Sequence, residues 1–438
     1  TNPTPVVIFP PPAPVPPPPA PVLPVAAIPE STPDAGLVVT EDAVASQLAD
    51  QGIPVLQMAV PPDADEPSLA VPVSLLDAAD ASGKRVSIDT GAATIQFAPG
   101  AFPSETLSEG ADGAGAVYLK LFAGRTSPDL AAQRSAALAT APGNVLKPFG
   151  GLMFSFEATY AQGDASQAVT TFRSPLTIRI PVPASALVGQ DGERLGVYWF
   201  NPQTQAWQYM GGIYDPVAGT ISFETTHFSE YAVLRSDAAF ADTATHWARQ
   251  EIGRMAARQI AKGTGGNLFS PERPMTRAEF VALLVRTMGV LPTREAATAP
   301  GTGQVWNVFS DVLSGKWYAA ELQKAWTLGI LQRSDGAAFR PETDITRQEM
   351  AVLMLRVLRA RGYATPQADV SALASAYGDA AGVDAGARDA VSVCTQLQLL
   401  RGRTGTLAGK TVLLLAPKGN GTRAEVLTVR YRLLTLLD

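Results

Sequence analysis

The sequence predicts a multidomain chain: an extended proline-rich arm, an all-β, β-sandwich-like middle domain, and an all-α C-terminal unit of three helical repeats. Three observations carry that reading. Residues 1–35 are proline-rich and low in complexity, with Pro10-Pro11-Pro12 and Pro16-Pro17-Pro18-Pro19. Across much of 36–235 apolar residues alternate with period two, as strands with one buried face do. Beyond that, Thr276-Arg277-Ala278-Glu279 returns as Thr346-Arg347-Gln348-Glu349 and as Thr422-Arg423-Ala424-Glu425, each before an apolar helical run. Repetition at intervals of about 70 residues marks stacked units. The expected boundaries are 1–35 for the arm and 36–235 for the β-rich module, which has a short mixed segment at its start. The repeats are expected at 236–300, 301–365 and 366–438.

Composition limits the choices. With 438 residues and 46% apolar content the chain can bury several cores. No apolar run is long enough for a bilayer span, so no membrane span is expected. The chain opens on Thr1, as a mature secreted form or a trimmed one would. Up to Arg235 the net charge is −12, and from Ser236 on it is +6. That split points the C-terminal part toward an anionic partner. Nucleic acid is not expected, because the basic part has no Lys/Arg tract or recognition motif. Cys394 is the lone cysteine and sits in an apolar helical pattern with Val391, Val393, Leu397 and Leu400, so a buried thiol is expected. His227 and His246 are the only histidines, too few for a histidine-based metal cluster or triad; no metal and no cofactor is expected.

Taken in order, the arm favours polyproline II, a stiff spacer on the order of 70 Å long at ~3.1 Å per residue. Val6, Val7, Ile8 and Phe9 form a short β-prone run before it, either a frayed tail or a donor strand lent to a neighbouring subunit's sheet edge. In 36–82, Val38-Val39, Val55 to Val60 and Leu69 to Val73 suit strands, and Val73 to Ala81 suits a short helix. Strands follow at Val86/Ile88, Ile95/Phe97, Val117/Leu119/Leu121, Leu152/Phe154/Phe156, Leu176/Ile178/Ile180, Val197/Trp199, Trp207/Tyr209, Ile221/Phe223 and Ala232/Leu234. Asn201-Pro202-Gln203-Thr204 and Asp215 to Gly219 read as hairpin turns. Tyr198, Trp199, Trp207, Tyr209 and Tyr214 are either a sugar-stacking platform or core.

In each Thr-Arg-x-Glu copy the Thr and Glu suit a capping box, making Thr276, Glu279, Thr346, Glu349, Thr422 and Glu425 structural caps. Capping does not call for the arginine. A guanidinium fork beside exposed helix-start amides matches a carboxylate or phosphate, so Arg277, Arg347 and Arg423 are candidate anion contacts. The first copy also has Phe240-Ala241-Asp242, His246-Trp247 and Phe269-Ser270-Pro271, and the second has Phe309-Ser310-Asp311, Trp317-Tyr318 and Phe339-Arg340-Pro341. The third keeps Tyr377-Gly378-Asp379 and Pro417, lacks the Trp, and inserts Thr404 to Leu415.

These residues resemble S-layer homology domains. The resemblance covers about 239–438 and implies a three-pronged unit, with one central helix per repeat and binding grooves between the prongs. It also implies non-covalent attachment to secondary cell-wall polysaccharide or a peptidoglycan-linked acidic glycan, often one bearing pyruvate ketals. On that reading Arg277, Arg347 and Arg423 hold the acidic sugar. Asp242, Asp311 and Asp379 line the grooves or cap the first helix. Trp247 and Trp317 stack on sugar faces or pack at the prong base.

The expectation is a secreted, non-enzymatic structural protein of the cell envelope, a homo-oligomeric array or filament subunit moored by its repeats. A carbohydrate-binding or adhesive middle module is the alternative. A wall-anchored hydrolase is the third reading, with Glu157, Asp164, Asp191 and Glu224 as carboxylate suppliers. Gly405 to Thr411 resembles a phosphate loop but is one residue short between its glycines.

Overall fold

In the computed structural model the described residues are 30–32, 36–60, 68–102, 117–138, 140–141, 144–162, 165–287 and 304–437. Of the proline-rich arm, 30–32 are described and form a strand rather than extended spacer, and the donor-strand run Val6 to Phe9 lies outside the described residues. The chain divides into two compact units, one holding the described residues up to Ala239 with Ala256–Lys262, the other holding Phe240–Met255 and the residues from Gly263 on.

The first unit places two sheets around one core. The larger runs, in spatial order, Glu30–Thr32, Gly36–Val38, Ser68–Pro72, Tyr118–Arg125, Asn144–Gln162, Glu230–Ser236, Leu195–Asn201 and Ala206–Gly211. The smaller runs Ile213–Asp215, Thr220–Thr225, Leu176–Pro181, Thr94–Phe97, Arg85–Asp89 and Val55–Ala59. Period-two alternation sends Ile178, Ile180, Ile95 and Phe97 from one sheet, and Leu119, Leu121, Phe154 and Phe156 from the other, into the same buried cluster. Both expected hairpin turns form. Asn201 Oδ1 accepts the amides of Gln203 and Thr204, and Asp215 Oδ1 those of Val217 and Ala218.

The all-β expectation for this unit is corrected. Helices α1 (Glu41–Ala49), α2 (Val73–Ala81) and α3 (Pro128–Ala136) belong to it, and the sheets are mixed. Val55–Ala59 pairs in parallel with Arg85–Asp89, and Val38 with Ala70. Only α2 was legible as a helix. The apolar content of α1 is too sparse for a visible stripe, and α3 has no buried residue at all. Its start is nonetheless signalled: Ser127 caps Leu130 N–H, Pro128 holds the first helical position, and Asp129 follows. Gln47 of α1 supplies its side-chain amide to both backbone groups of Gln57, at 2.8 and 3.2 Å. It stands where a further strand would pair with the sheet edge.

The aromatic group of this unit is core. Tyr198, Trp207 and Tyr209 pack with Met153, Ala232 and Leu234, while Trp199 and Tyr214 lie against the main core.

The second unit contains α4 (Arg249–Ala257, through Met255), α5 (Arg277–Thr287), α6 (Ala319–Thr327), α7 (Arg347–Ala360), α8 (Val370–Ala376), α9 (Arg388–Gln396) and α10 (Arg423–Leu437). The all-α expectation is corrected here too. Residues read as an inserted loop form an antiparallel hairpin, Arg403–Leu407 with Lys410–Leu414, turned at left-handed Ala408 and Gly409. Thr404, Thr406, Thr411 and Val412 give its strands β-branched residues, a signal masked by the likeness of this stretch to a phosphate loop. The long helices α5, α7 and α10 follow the Thr-Arg-x-Glu copies. Thr276 N–H reaches Glu279 Oε2 at 2.9 Å while Glu279 N–H reaches Thr276 Oγ1 at 3.2 Å. Thr346 N–H meets Glu349 Oε2 at 2.8 Å, and Thr422 N–H meets Glu425 Oε2 at 3.3 Å. Backbone bridges close these segments on one another: Pro274 with Thr422, Thr276 with Asp344, Thr346 with Asn420.

Candidate functional site

Each Asp singled out in the sequence binds two successive backbone amides. Asp242 takes Phe269 and Ser270 N–H at 2.9 and 2.7 Å. Asp311 takes Phe339 and Arg340 at 2.8 and 2.7 Å, and Asp379 takes Leu415 and Ala416, both at 2.7 Å. The second residue of each pair is left-handed, with φ of 57° at Ser270, 58° at Arg340 and 50° at Ala416, and each precedes a proline. Side-chain-bearing residues rarely adopt that backbone form, and the doubly accepting carboxylate stabilises it.

The carbonyl of the first residue in each pair receives an arginine. Arg277 Nε donates to Phe339 O at 2.7 Å, Arg347 Nε to Leu415 O at 2.7 Å, and Arg423 Nε to Phe269 O at 2.9 Å. Arg277 also pairs with Glu349 at 2.5 Å, and Arg347 with Glu425 at 2.9 Å. The Arg277 and Arg423 guanidinium groups lie over the rings of Phe339 and Phe269. Arg277 is 8% exposed and Arg347 3%. Burial pushes the pKa of Arg347 and Arg423 below the ordinary arginine value. The structure thus places the predicted Arg, Asp and cap residues in one hydrogen-bonded chain that runs from copy to copy.

The tryptophans are placed differently. Trp247 and Trp317 are 59% and 55% exposed. Trp247 stands at a cleft of about 440 Å³ that also reaches Arg347, Arg401, Arg403, Glu425 and Arg432. Beside it, His246 Nδ1 accepts Ala248 N–H at 3.1 Å while Nε2 meets Glu272 at 2.7 Å. With Nδ1 accepting, a neutral ring donates from Nε2. Arg403, at the root of the hairpin, shares Glu425 Oε1 with Arg347. Arg432 NH1 meets Leu399 O at 3.3 Å.

Arg401, Arg403 and Arg432 were not found by sequence reasoning. For Arg432 a signal exists: Arg286, Arg356 and Arg432 each follow a Thr-Arg-x-Glu arginine at one fixed spacing. Arg286 pairs with Glu321 and Arg356 with Asp335. Cys394 is fully buried and its thiol is pushed up to about 12 by burial, so it is inert. Among the described residues no helix is long and apolar enough to cross a membrane.

The family model described as the S-layer homology domain matches residues 239–281 and 308–351. The expectation of three such repeats is therefore corrected to two matched ones; the segment from 366 on joins the same hydrogen-bonded cycle without being matched. Curated relatives include an amylopullulanase of Thermoanaerobacterium thermosulfurigenes, 33% identical over 59% of this chain and 13% of its own length. An exoglucanase XynX of Acetivibrio thermocellus is 29% identical over 56% of this chain and 20% of its own. A surface layer protein of Brevibacillus choshinensis is 27% identical over 24% of this chain and 9% of its own. This chain thus spans a fifth or less of the length of these relatives. The 261 residues matched to the amylopullulanase outnumber those from Ala239 to the end, so that likeness reaches into the β-rich unit. The expectation of a non-enzymatic protein is overturned by these relatives, whose names are those of glycoside hydrolases as well as of a surface layer protein.

Proposed function

We propose that the second unit of this secreted, cell-surface protein, which carries the segments matched by the S-layer homology domain model, anchors it to the cell wall by binding acidic wall polysaccharide at the cleft beside Arg347. The observation that carries this reading is the exposed Trp247 lining one cleft together with Arg347, Arg401, Arg403 and Arg432. An aromatic face offers a sugar ring a stacking surface, and guanidinium forks suit carboxylates such as those of pyruvate ketals. Arg277, Arg347 and Arg423 act mainly by holding the copies together, with Arg347 also reaching the ligand. Asp242, Asp311 and Asp379 set the loops that border the grooves, and Trp317 offers a second stacking face.

The experiment is co-sedimentation of the full chain with purified wall polysaccharide, before and after mild acid has removed its ketals. Binding that disappears with the ketals supports the reading. Equal binding to the stripped polymer excludes carboxylate recognition.

A second reading concerns the cargo. The amylopullulanase match extends beyond the repeats, and this favours the β-rich unit as a module that accompanies polysaccharide hydrolysis rather than a subunit of a surface array. Release of reducing sugar from pullulan or xylan, compared with pull-down of those polymers by the full chain, separates an active module from a binding one.

A further inference from the structure

The cleft beside Arg347 differs in charge from the matching place in the second copy. Left-handed Gln398, φ 57°, ends α9 as left-handed Gly329, φ 70°, ends α6. Counting on from these, Arg401 stands where the second copy has Gln332, Arg403 where it has Ser334, and Thr404 where it has Asp335. In the second copy Asp335 holds Arg356 with both oxygens, at 2.7 and 2.8 Å. Thr404 instead belongs to the hairpin, and Arg432, the counterpart of Arg356, meets the carbonyl of Leu399.

The cleft is lined by Arg347, Arg401, Arg403 and Arg432, against the carboxylates of Glu425 and Glu272. Glu272 is engaged by His246, and one oxygen of Glu425 serves two arginines. Arg401 is exposed. Burial, and then the nearness of Arg401, push the Arg432 guanidinium down to about 10. Like charges gathered in a partly desolvated wall repel one another, and an anionic occupant relieves that repulsion.

We propose that this cleft takes two neighbouring acidic groups of one glycan strand, with Arg401 and Arg403 forming a second anion subsite that the second copy lacks. The proposal rests on the wall-polysaccharide reading and narrows its ligand to a saccharide segment carrying two negative charges within the span of the cleft. Carboxylate and phosphate both fit a guanidinium fork. The hairpin thereby acts as a specificity element, since it carries Arg403 and puts Thr404 where a carboxylate neutralises Arg356.

The test uses the full chain and purified wall polysaccharide, with the R401Q/R403S double variant, which installs the residues of the second copy, and R401Q alone. At least a tenfold loss of affinity in the double variant is expected, with a flatter dependence on salt. R401Q alone, at an exposed position, should lose about threefold and keep the wild-type unfolding temperature. Mild acid treatment of the polymer removes ketal carboxylates and hydrofluoric acid removes phosphate; whichever treatment brings the wild type down to the level of the double variant identifies the acidic group. If both variants bind the untreated polymer as the wild type does, the two-charge subsite is overturned while the wall-binding reading stands. If the wild type fails to bind the polymer, both fall.

Discussion

Arg347 and Leu415 lie 68 residues apart in sequence, yet the arginine Nε meets the leucine carbonyl at 2.7 Å while Asp379 holds the amide of the same leucine. One peptide segment is thus clamped from both sides, by a buried guanidinium and a carboxylate from different parts of the chain. Repeated at Phe339 and Phe269, this clamp is what makes separate helical copies one unit.

Removing the clamp's buried cation should be costly. Arg347→Met leaves Leu415 O and Arg401 O without that donor and Glu425 without one of its partners. A loss of about 3 kcal/mol is expected in the C-terminal unfolding transition, as for breaking a buried ion pair from one side. Arg347→Lys should recover little, because an ammonium cannot supply the forked geometry. Urea unfolding followed by circular dichroism measures both.

The carboxylates should act through backbone strain. Asp311→Ala frees the amides of Phe339 and Arg340 and leaves Arg340 at φ 58° without support. A loss of about 2 kcal/mol is expected. Adding Arg340→Gly should return about 1 kcal/mol, since glycine takes the left-handed form without penalty. A double variant no more stable than Asp311→Ala would show that strain at Arg340 is not what the carboxylate offsets.

Helix starts and turns were legible because their signals are local. Thr276 and Glu279, three residues apart, complete their own bonds, as do Asn201 and Asp215 in the turns. The environment of Arg277 was not legible for the opposite reason. Its partners, Phe339 O and Glu349, lie 62 and 72 residues on, so the anion-ready helix start read from sequence is occupied by the chain itself. The cleft residues Arg401 and Arg403 fall in a stretch where the Trp and Phe-x-Pro landmarks are missing, and their proximity to Trp247 is wholly tertiary.

Acid should weaken the β-rich unit partly through Asp237. Burial raises its carboxyl, but hydrogen bonds from Lys147 and Arg235 outweigh that and hold it below the usual carboxylate range. A depressed folded pKa gives stability that is present above the unfolded value and lost as pH falls through the folded one. Asp237→Asn should therefore show a shallower loss of stability below roughly pH 4 than the wild type. Denaturant midpoints measured from neutral pH downward check the sign.

Gln47 guards a sheet edge. Its carboxamide satisfies Gln57 N–H at 2.8 Å and Gln57 C=O at 3.2 Å, while among the described residues Val55–Ala59 pairs as a strand only on its other side, with Arg85–Asp89. Gln47→Leu retains bulk and helix propensity but supplies neither donor nor acceptor. Two backbone groups then lose their partners at a free edge, which costs about 1–2 kcal/mol and exposes a template for pairing with another chain. The variant should be less stable and should self-associate as concentration rises, seen by light scattering at a temperature where wild type and variant are both folded. Gln47→Glu separates the two effects: it keeps an acceptor for Gln57 N–H and adds a charge that opposes strand addition, so it should lose stability without associating. If Gln47→Leu stays monodisperse at high concentration, α1 itself and not the carboxamide covers this edge.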